Sequence, residues 1–517
     1  MARRLTFVFL FFFLVLTGYT QELILIKYHT PGELNLITQC KGLVVHYQGP
    51  DFLVASHSDP VSFNYQVIDA NPWINGTSYM MAWLPFKDKE QYVSNLQHSG
   101  TVLFADGEKA FIKYSQEQSD DFYPGVHGGL VKICKDSRWI IHHERSPQYE
   151  IDTFPEIFTY INEVDTVSVD STIQHLQDYG TRKCKTPQAV QAQNWLKDKY
   201  VALGFPVEIQ PVTQPSGSSG NVIATQIGKV YPEEYVVLGA HYDSYTYYGN
   251  APGADDNASG TAGVLEVARI LSQYEFERTI IYCAFSAEEY GLFGSEEYAK
   301  RCEQQGMNIL GYFNMDMISY QKPGTEIHSD LIAPNSAEVL VDFYTGVAPI
   351  YIPEFPIYHL TGLTGGDSDH TSFNEHGYMG IFPFEDEPDY SPYIHTSGDT
   401  IGPSVNCYAL ARKLIQSGLA SVVSLARPYY DPSGVSENNV STVEIKVLSG
   451  FPGIQLQISS TSHYPLQCQV INMSGKTVLS HSFEKQMRMD LTGFAQGLYV
   501  VSITGDGVMA NKKVMVR

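Results

Sequence analysis

The sequence has 517 residues, and its 56 acidic side chains against 33 Lys and Arg leave a formal net charge of −23. That length exceeds one ordinary domain, and an apolar content of 43% is ample for several cores. The charge argues against nucleic acid as a partner, because phosphates attract basic surfaces, while leaving metals and cationic groups open.

Residues 1–20, "MARRLTFVFLFFFLVLTGYT", place Arg3 and Arg4 before a mostly apolar run over 5–16. That is the pattern of a secretory signal, too short for a comfortable membrane span, with cleavage expected after Thr20. Residues 21–165 read as a β-rich N-terminal domain, a possible propeptide. "LVVHYQGPDFLVAS" from Leu43, "TVLFADGEKAFIKYS" from Thr101 and "LVKICKDSRWIIHHE" from Leu130 each resemble a hairpin. The starts are 29 or twice 29 apart, so a repeat is expected, with a degenerate copy from Pro72.

Over residues 166–428 the pattern changes. Helical periodicity marks "TPQAVQAQNWLKDKYVALGF", with Thr186 as N-cap and Pro187 in the first turn. Strand-like "YVVLGA", "RTIIYCAF", "ILGYFNMDMI" and "YMGIFPF" then alternate with helical runs. The expectation is an α/β fold, a mixed, largely parallel sheet flanked by helices. Residues 429–441 form a polar linker, and 442–517 a small all-β module. The seven cysteines show no CxxC spacing; Cys40 with Cys134, or Cys283 with Cys302, could pair in an oxidising compartment.

Polar groups gather where the strands of the α/β region end. They are His241 and Asp243, Asp255 and Asp256, Glu288 and Glu289, Asp316, Asp369 and His370, and His395 and Asp399. Ligands of open α/β sheets bind outside the carboxyl ends of the strands, so these residues should converge. Imidazoles with carboxylates and no thiolate suit zinc. Taken singly, each has an ordinary reading: Asp255-Asp256-Asn257 as a helix N-cap, Met317 as a core methionine, "FEDEPDY" as a solvated acidic loop.

Together, "AHYDS", "PGADDNASG", "SAEEYGLFGS", "NMDMIS", "SDHTSF" and "IHTSGDT" resemble the successive motifs of the co-catalytic zinc aminopeptidases related to bacterial leucyl aminopeptidase. The resemblance implies two zinc ions, with His241 and Asp316 on one, Glu289 and His395 on the other, and Asp256 bridging both. His395 is the histidine it selects, with Asp369 and His370 as supporting groups. Asp243 would hold the far nitrogen of His241, and a cis peptide would join Asp256 to Asn257. Glu288, as general base and acid, would take the proton of a bridging water. Met317 would line a pocket for the first side chain. The substrates implied are peptides with a free N-terminus. The rivals are a glutaminyl cyclase of the same fold, a carboxypeptidase of the same superfamily and a non-catalytic peptidase-like binding protein.

The C-terminal "DLTGFAQGLYVVSI" and "NKKVMVR", through Asp490, Gly493, Gly497 and Tyr499, are similar to type IX secretion sorting domains. "GFPG" at Gly450 to Gly453 stands in place of their usual opening motif. The resemblance implies export by the type IX machinery of a Gram-negative bacterium, to the medium or the outer-membrane surface. Side-chain preference and oligomeric state leave no mark in the sequence.

Overall fold

The computed structural model describes residues 22–516 apart from 50, 59–60, 75–76, 85–88, 108, 116–129, 134, 136–148, 214–215, 247, 361–367, 431–442, 451–452, 461–464, 473–474, 492 and 506–507. The signal segment, most of the linker and Cys134 therefore lie outside the described residues. Two compact units share the chain: residues up to Ile151 with Tyr160–Pro428, and Asp152–Thr159 with Tyr429–Arg517.

The first unit begins with β1 (Leu23–Lys27), α1 (Pro31–Thr38), β2 (Leu43–Gln48), β3 (Phe52–His57) and β4 (Gln66–Asp69). The same succession returns as β5 (Thr77–Trp83), α2 (Lys89–Ser99), β6 (Thr101–Ala105), β7 (Lys109–Ser115) and β8 (Leu130–Ile133). The sheet orders, β2-β3-β1-β4 and β6-β7-β5-β8, are identical, so one β-α-β-β-β unit occurs twice. The expected repeat is present, but its unit is the longer spacing from Leu43 to Thr101. The stretch from Pro72 supplies the single strand β5 instead of a hairpin.

Helices α1 and α2 depart from the β-rich expectation for residues 21–165. The first is nonetheless written locally: Thr30 Oγ1 accepts from Glu33 N at 3.2 Å, and the Glu33 carboxylate accepts from His29 N at 2.7 Å.

Strand alternation sorts the side chains into layers. Leu23 and Leu25 join Tyr79, Met81 and Trp83 between the two sheets, while Ile24 and Ile26 pack under α1. Met80 and Ala82, on the other face of β5, share a core with Tyr92 and Leu96 of α2 and with Cys184, Val212, Ala287 and Phe293.

After α3 (Glu156–Asn162), α4 (Thr166–Gln177) and α5 (Pro187–Ala202) come β9 (Val207–Gln210), β10 (Asn221–Gln226) and β11 (Tyr231–His241). Thr186 caps α5 as expected, its Oγ1 accepting from Ala189 N at 3.2 Å. There follow α6 (Gly260–Leu271), β12 (Arg278–Phe285), α7 (Phe293–Gln304), β13 (Asn308–Asn314), β14 (Ser329–Ile332) and α8 (Glu338–Tyr351). Then come β15 (Ile357–His359), α9 (His370–Glu375), β16 (Gly380–Phe384) and α10 (Tyr408–Ala426). The eight strands form one sheet in the order β15-β14-β16-β13-β11-β12-β10-β9.

Its centre, β12, β11, β13 and β16, is parallel; β10 runs antiparallel to β12 and β9, and β14 runs antiparallel to β16 but parallel to β15. This is the mixed, largely parallel sheet expected. Cys283 and Cys302 lie buried in one core cluster as free thiols, so they form no disulfide here.

The second unit contains β17 (Val443–Gly450), β18 (Gly453–Ser460), β19 (Leu466–Asn472), β20 (Thr477–Phe483), β21 (Gln486–Asp490), β22 (Gly497–Gly505) and β23 (Val508–Val516). They make antiparallel sheets of orders β17-β18-β21 and β20-β19-β22-β23. Alternate residues of both, among them Leu456, Ile458, Cys468, Val470, Val501 and Ile503, fill one core, which makes a sandwich. Among the described residues no helix is long and apolar enough to cross a membrane.

Candidate metal centre

The register sets His241 at the end of β11 beside Phe285 of β12, and Gly239 beside Asn314 of β13. Three parallel strands therefore finish together, and the residues that follow them meet. After β12 the chain turns through Ala287, whose φ of 59° lies in the left-handed region. That turn ends the strand alternation that would send Glu288 and Glu289 to opposite faces. Both carboxylates enter the site. Met317 and His395 also have positive φ, 47° and 55°, so uncommon backbone concentrates here.

Asp256 lies between two imidazoles. Its Oδ1 is 3.4 Å from His241 Nε2, and its Oδ2 is 3.2 Å from His395 Nε2. Asp316 Oδ2 is 3.4 Å and Glu288 Oε2 3.8 Å from His241 Nε2, while Glu289 Oε2 is 2.7 Å from His395 Nε2. Ligand-type atoms of His241, Glu288 and Asp316 lie within 4.8 Å of one another, as do those of His241, Asp256 and Glu289.

Surrounding groups fix these side chains. Asp243 Oδ1 is 3.5 Å from His241 Nδ1 and accepts from Glu288 N at 3.2 Å. Asp399 accepts from Asp255 N at 2.9 Å and Asp256 N at 3.1 Å, which holds the turn carrying Asp256. The Asp256–Asn257 peptide is cis, as the motif resemblance implied. Ser368 donates to Asp316 Oδ2 at 2.6 Å and is itself held by Asn314 at 2.7 Å.

Arg182 is fully buried. It donates to the carbonyls of Tyr242, Leu176, Pro252 and Gly253 at 2.6–3.0 Å. No signal in the sequence singled out Ser368 or Arg182, because a serine and an arginine in irregular segments carry no periodicity or spacing.

The electrostatics follow from burial of many carboxylates. Burial, with Glu289, Asp369 and Asp316 nearby, pushes Glu288 well above the ordinary carboxyl range, although His241 opposes the shift. Burial likewise raises Glu289 to about 7 and Asp369 to about 7. Burial opposes ionisation of Asp256 too, but the imidazoles on its two oxygens outweigh it and hold its carboxyl below the usual range. Burial alone would lower His241 and His395, yet their carboxylate neighbours raise both well above 6.5. His370 faces Phe382 at 5.3 Å between ring centres, and burial lowers it to about 3. It remains neutral, apart from the ligand cluster.

The donor set fits zinc. Two imidazoles and several carboxylates with no thiolate converge, and the buried atoms His241 Nε2, Glu289 Oε1 and Asp316 Oδ1 have no hydrogen-bond partner among the described residues. The structure thus brings together His241, Asp243, Asp256, Glu288, Glu289, Asp316 and His395. Met317 sits beside them in an apolar cluster with Ile332, Phe382 and Phe384, against which Tyr390 and Ile394 pack. The "FEDEPDY" loop is a correction: Glu385 and Asp386 are buried, not solvated. Glu385 is drawn in because it accepts from Tyr320 N at 2.8 Å and Ser391 N at 3.0 Å.

Residues 221–412 match the model of peptidase family M28, and residues 453–517 that of a secretion system C-terminal sorting domain. A curated Pyrenophora teres f. teres protein described as "Probable zinc metalloprotease" is 30% identical over 189 residues, covering 31% of this chain and 40% of its own. The chain thus spans less than half the length of that relative. Leucine aminopeptidase 1 of Chaetomium globosum is 27% identical over 340 residues, covering 61% of this chain and 81% of its own. The crystal structure of LapB from Legionella pneumophila superposes with a TM-score of 0.57 at 22% identity, covering 68% of this chain and all of that one, a likeness of fold. The stretch that carries the whole cluster, residues 221–412, is a peptidase family M28 domain, and the chain closes with a secretion system C-terminal sorting domain.

Proposed function

We propose that this protein is an exported zinc-dependent aminopeptidase that removes the N-terminal residue from peptides. The observation that carries the reading is Asp256, one oxygen toward each of two histidines, with Glu289 and Asp316 on opposite sides. Such a set would hold two zinc ions, which when bound lower the pKa of water and polarise a scissile carbonyl.

The chain's own groups supply the rest. Glu288, outside the bridging position and raised by burial, is placed to accept the proton of the attacking water at Oε2 and deliver it to the leaving amine. Asp243 keeps His241 in one tautomer and steadies the backbone of Glu288. Met317, with Ile332, Phe382, Phe384, Tyr390 and Ile394, offers an apolar wall for the first side chain of the substrate. That favours leucine-like residues over charged ones.

The domain roles belong to the same reading. Residues 21–165 act as a fixed accessory domain, because Ala287 and Phe293, flanking the glutamate pair, share a core with β5 and α2. Residues 166–428 carry the chemistry. After the linker at 429–441, residues 442–517 direct type IX export to the medium or the outer-membrane surface.

The test is the chain lacking residues 1–20, assayed on aminoacyl chromogenic substrates and on N-terminal Gln peptides. Chelation should abolish release of single residues and zinc should restore it. Cyclisation of Gln without hydrolysis would make the protein a glutaminyl cyclase instead.

A further inference from the structure

A third cluster of ligand-type side chains involves none of these catalytic residues. His328 precedes β14, Asp330 lies on it, and Asp386 follows β16, which pairs antiparallel with β14. Ligand-type atoms of the three lie within 4.8 Å of one another. His328 Nε2 is 3.6 Å from Asp330 Oδ1 and 3.9 Å from Asp386 Oδ1, both too long for a hydrogen bond.

His376 shows what an imidazole looks like when carboxylates hold it directly. Its nitrogens are 2.7 Å from Glu303 and 3.0 Å from Glu296, the lengths of an imidazolium between two acids. His328 differs. Its Nδ1 lies 3.1 Å from the Glu326 carbonyl, which can only accept, so Nδ1 donates there and Nε2 is the nitrogen turned toward the two carboxylates. Standing beyond direct hydrogen bonding from two carboxylates, Nε2 leaves room for a cation among the three side chains.

Asp330 Oδ2 is occupied by Glu387 N at 2.7 Å, and Oδ1 of this side chain, 5% exposed, is left for the gap. The neighbouring Lys322 pairs with Asp389 at 2.7 Å. The stand-off matches that of His241, whose Nε2 is 3.4–3.8 Å from its carboxylates.

We propose that His328, Asp330 and Asp386 bind a further divalent cation of the zinc or manganese class, separate from the catalytic pair. One imidazole and two carboxylates are the donors borderline metals take. His328, with 15% of its side chain exposed, leaves an edge where water can complete the coordination. Asp386 directly follows Glu385, the buried anchor of the segment that leads to Tyr390, Ile394 and His395. The ion would therefore fasten β14 to the root of that segment.

The test counts bound zinc per chain after dialysis at fixed free zinc. It compares the parent chain, Asp386→Asn, Asp256→Asn and the double variant, with circular dichroism as the check on folding. Asp386→Asn should lose about one equivalent and keep peptidase turnover at saturating zinc. Asp256→Asn should keep that equivalent, and the double variant should lose it. Equal zinc in folded parent and Asp386→Asn chains would overturn the site, as would a preference for calcium over zinc. His328→Gln gives the same reading should Asp386→Asn fail to fold. The zinc difference is independent of hydrolysis, so failure of the peptidase reading is distinguishable from failure of this one.

Discussion

The two oxygens of Asp256 face different histidines, Oδ1 at 3.4 Å from His241 Nε2 and Oδ2 at 3.2 Å from His395 Nε2. Asp256→Asn removes the charge and replaces one oxygen by an NH2 group that can only donate. Outer partners of metal ligands already cost about 10–100-fold in affinity when removed. Loss of this inner one should lower zinc affinity by at least about 100-fold and activity with it, read by zinc titration and rate on one preparation.

Glu288→Gln keeps size and hydrogen bonding but cannot take a proton. Turnover should fall about 100- to 10,000-fold, the usual share of general acid–base catalysis, with zinc content unchanged. A variant that keeps its turnover would remove Glu288 from the mechanism.

Ser368→Ala frees Asp316 Oδ2 and leaves Asn314 without the acceptor it now reaches at 2.7 Å. Zinc affinity should drop about 10-fold, the lower end of the effect for such supporting groups. Excess zinc should restore most of the rate, which separates this variant from Glu288→Gln.

His376 links α7, through Glu296 and Glu303, to the turn after α9, and those acids raise it to about 9 against the opposing effect of burial. A histidine with a raised folded pKa stabilises fully below its unfolded value, about 6.5, and loses that contribution as pH rises through about 9. The contribution is roughly 3.5 kcal/mol at most, at about 1.4 kcal/mol per pKa unit. Thermal melts between about pH 6 and 10 should show the parent losing this increment and His376→Gln lacking it.

Lys109 of β7 reaches Glu375 of α9 at 3.3 Å and Tyr47 OH at 2.7 Å, and the ring of Trp83 lies 4.8 Å away. Lys109→Met leaves the largely covered Glu375 without its cation, a loss of up to roughly 3 kcal/mol. Denaturant titration should show the peptidase fold, not only the N-terminal domain, losing that stability. An unchanged midpoint would mean that the two fold independently.

Much of the site was legible because its chemistry is written in short motifs after apolar strands. "YVVLGAHYD" and "RTIIYCAFSAEE" need only a parallel sheet to bring His241 and Glu288-Glu289 to one edge. Thr186-Pro187 and Thr30-Pro31-Gly32-Glu33 declare helix starts in the same local way. The β-α-β-β-β duplication was half visible, since the spacing of its hairpins survives in the sequence while the sheet order does not.

What the sequence by itself determined is therefore the sheet type, the helix capped by Thr186 and the residue types gathered at the strand ends. Those rest on local periodicity, capping and spacing, which a chain carries before it folds. Only the tertiary structure decided that Asp399 holds the turn of Asp256, that Ser368 orients Asp316, that Arg182 lies buried among carbonyls, and that Glu385 and Asp386 are drawn inward. Each joins residues distant in the chain, and such pairings depend on how the sheet's crossovers return, which no local pattern encodes.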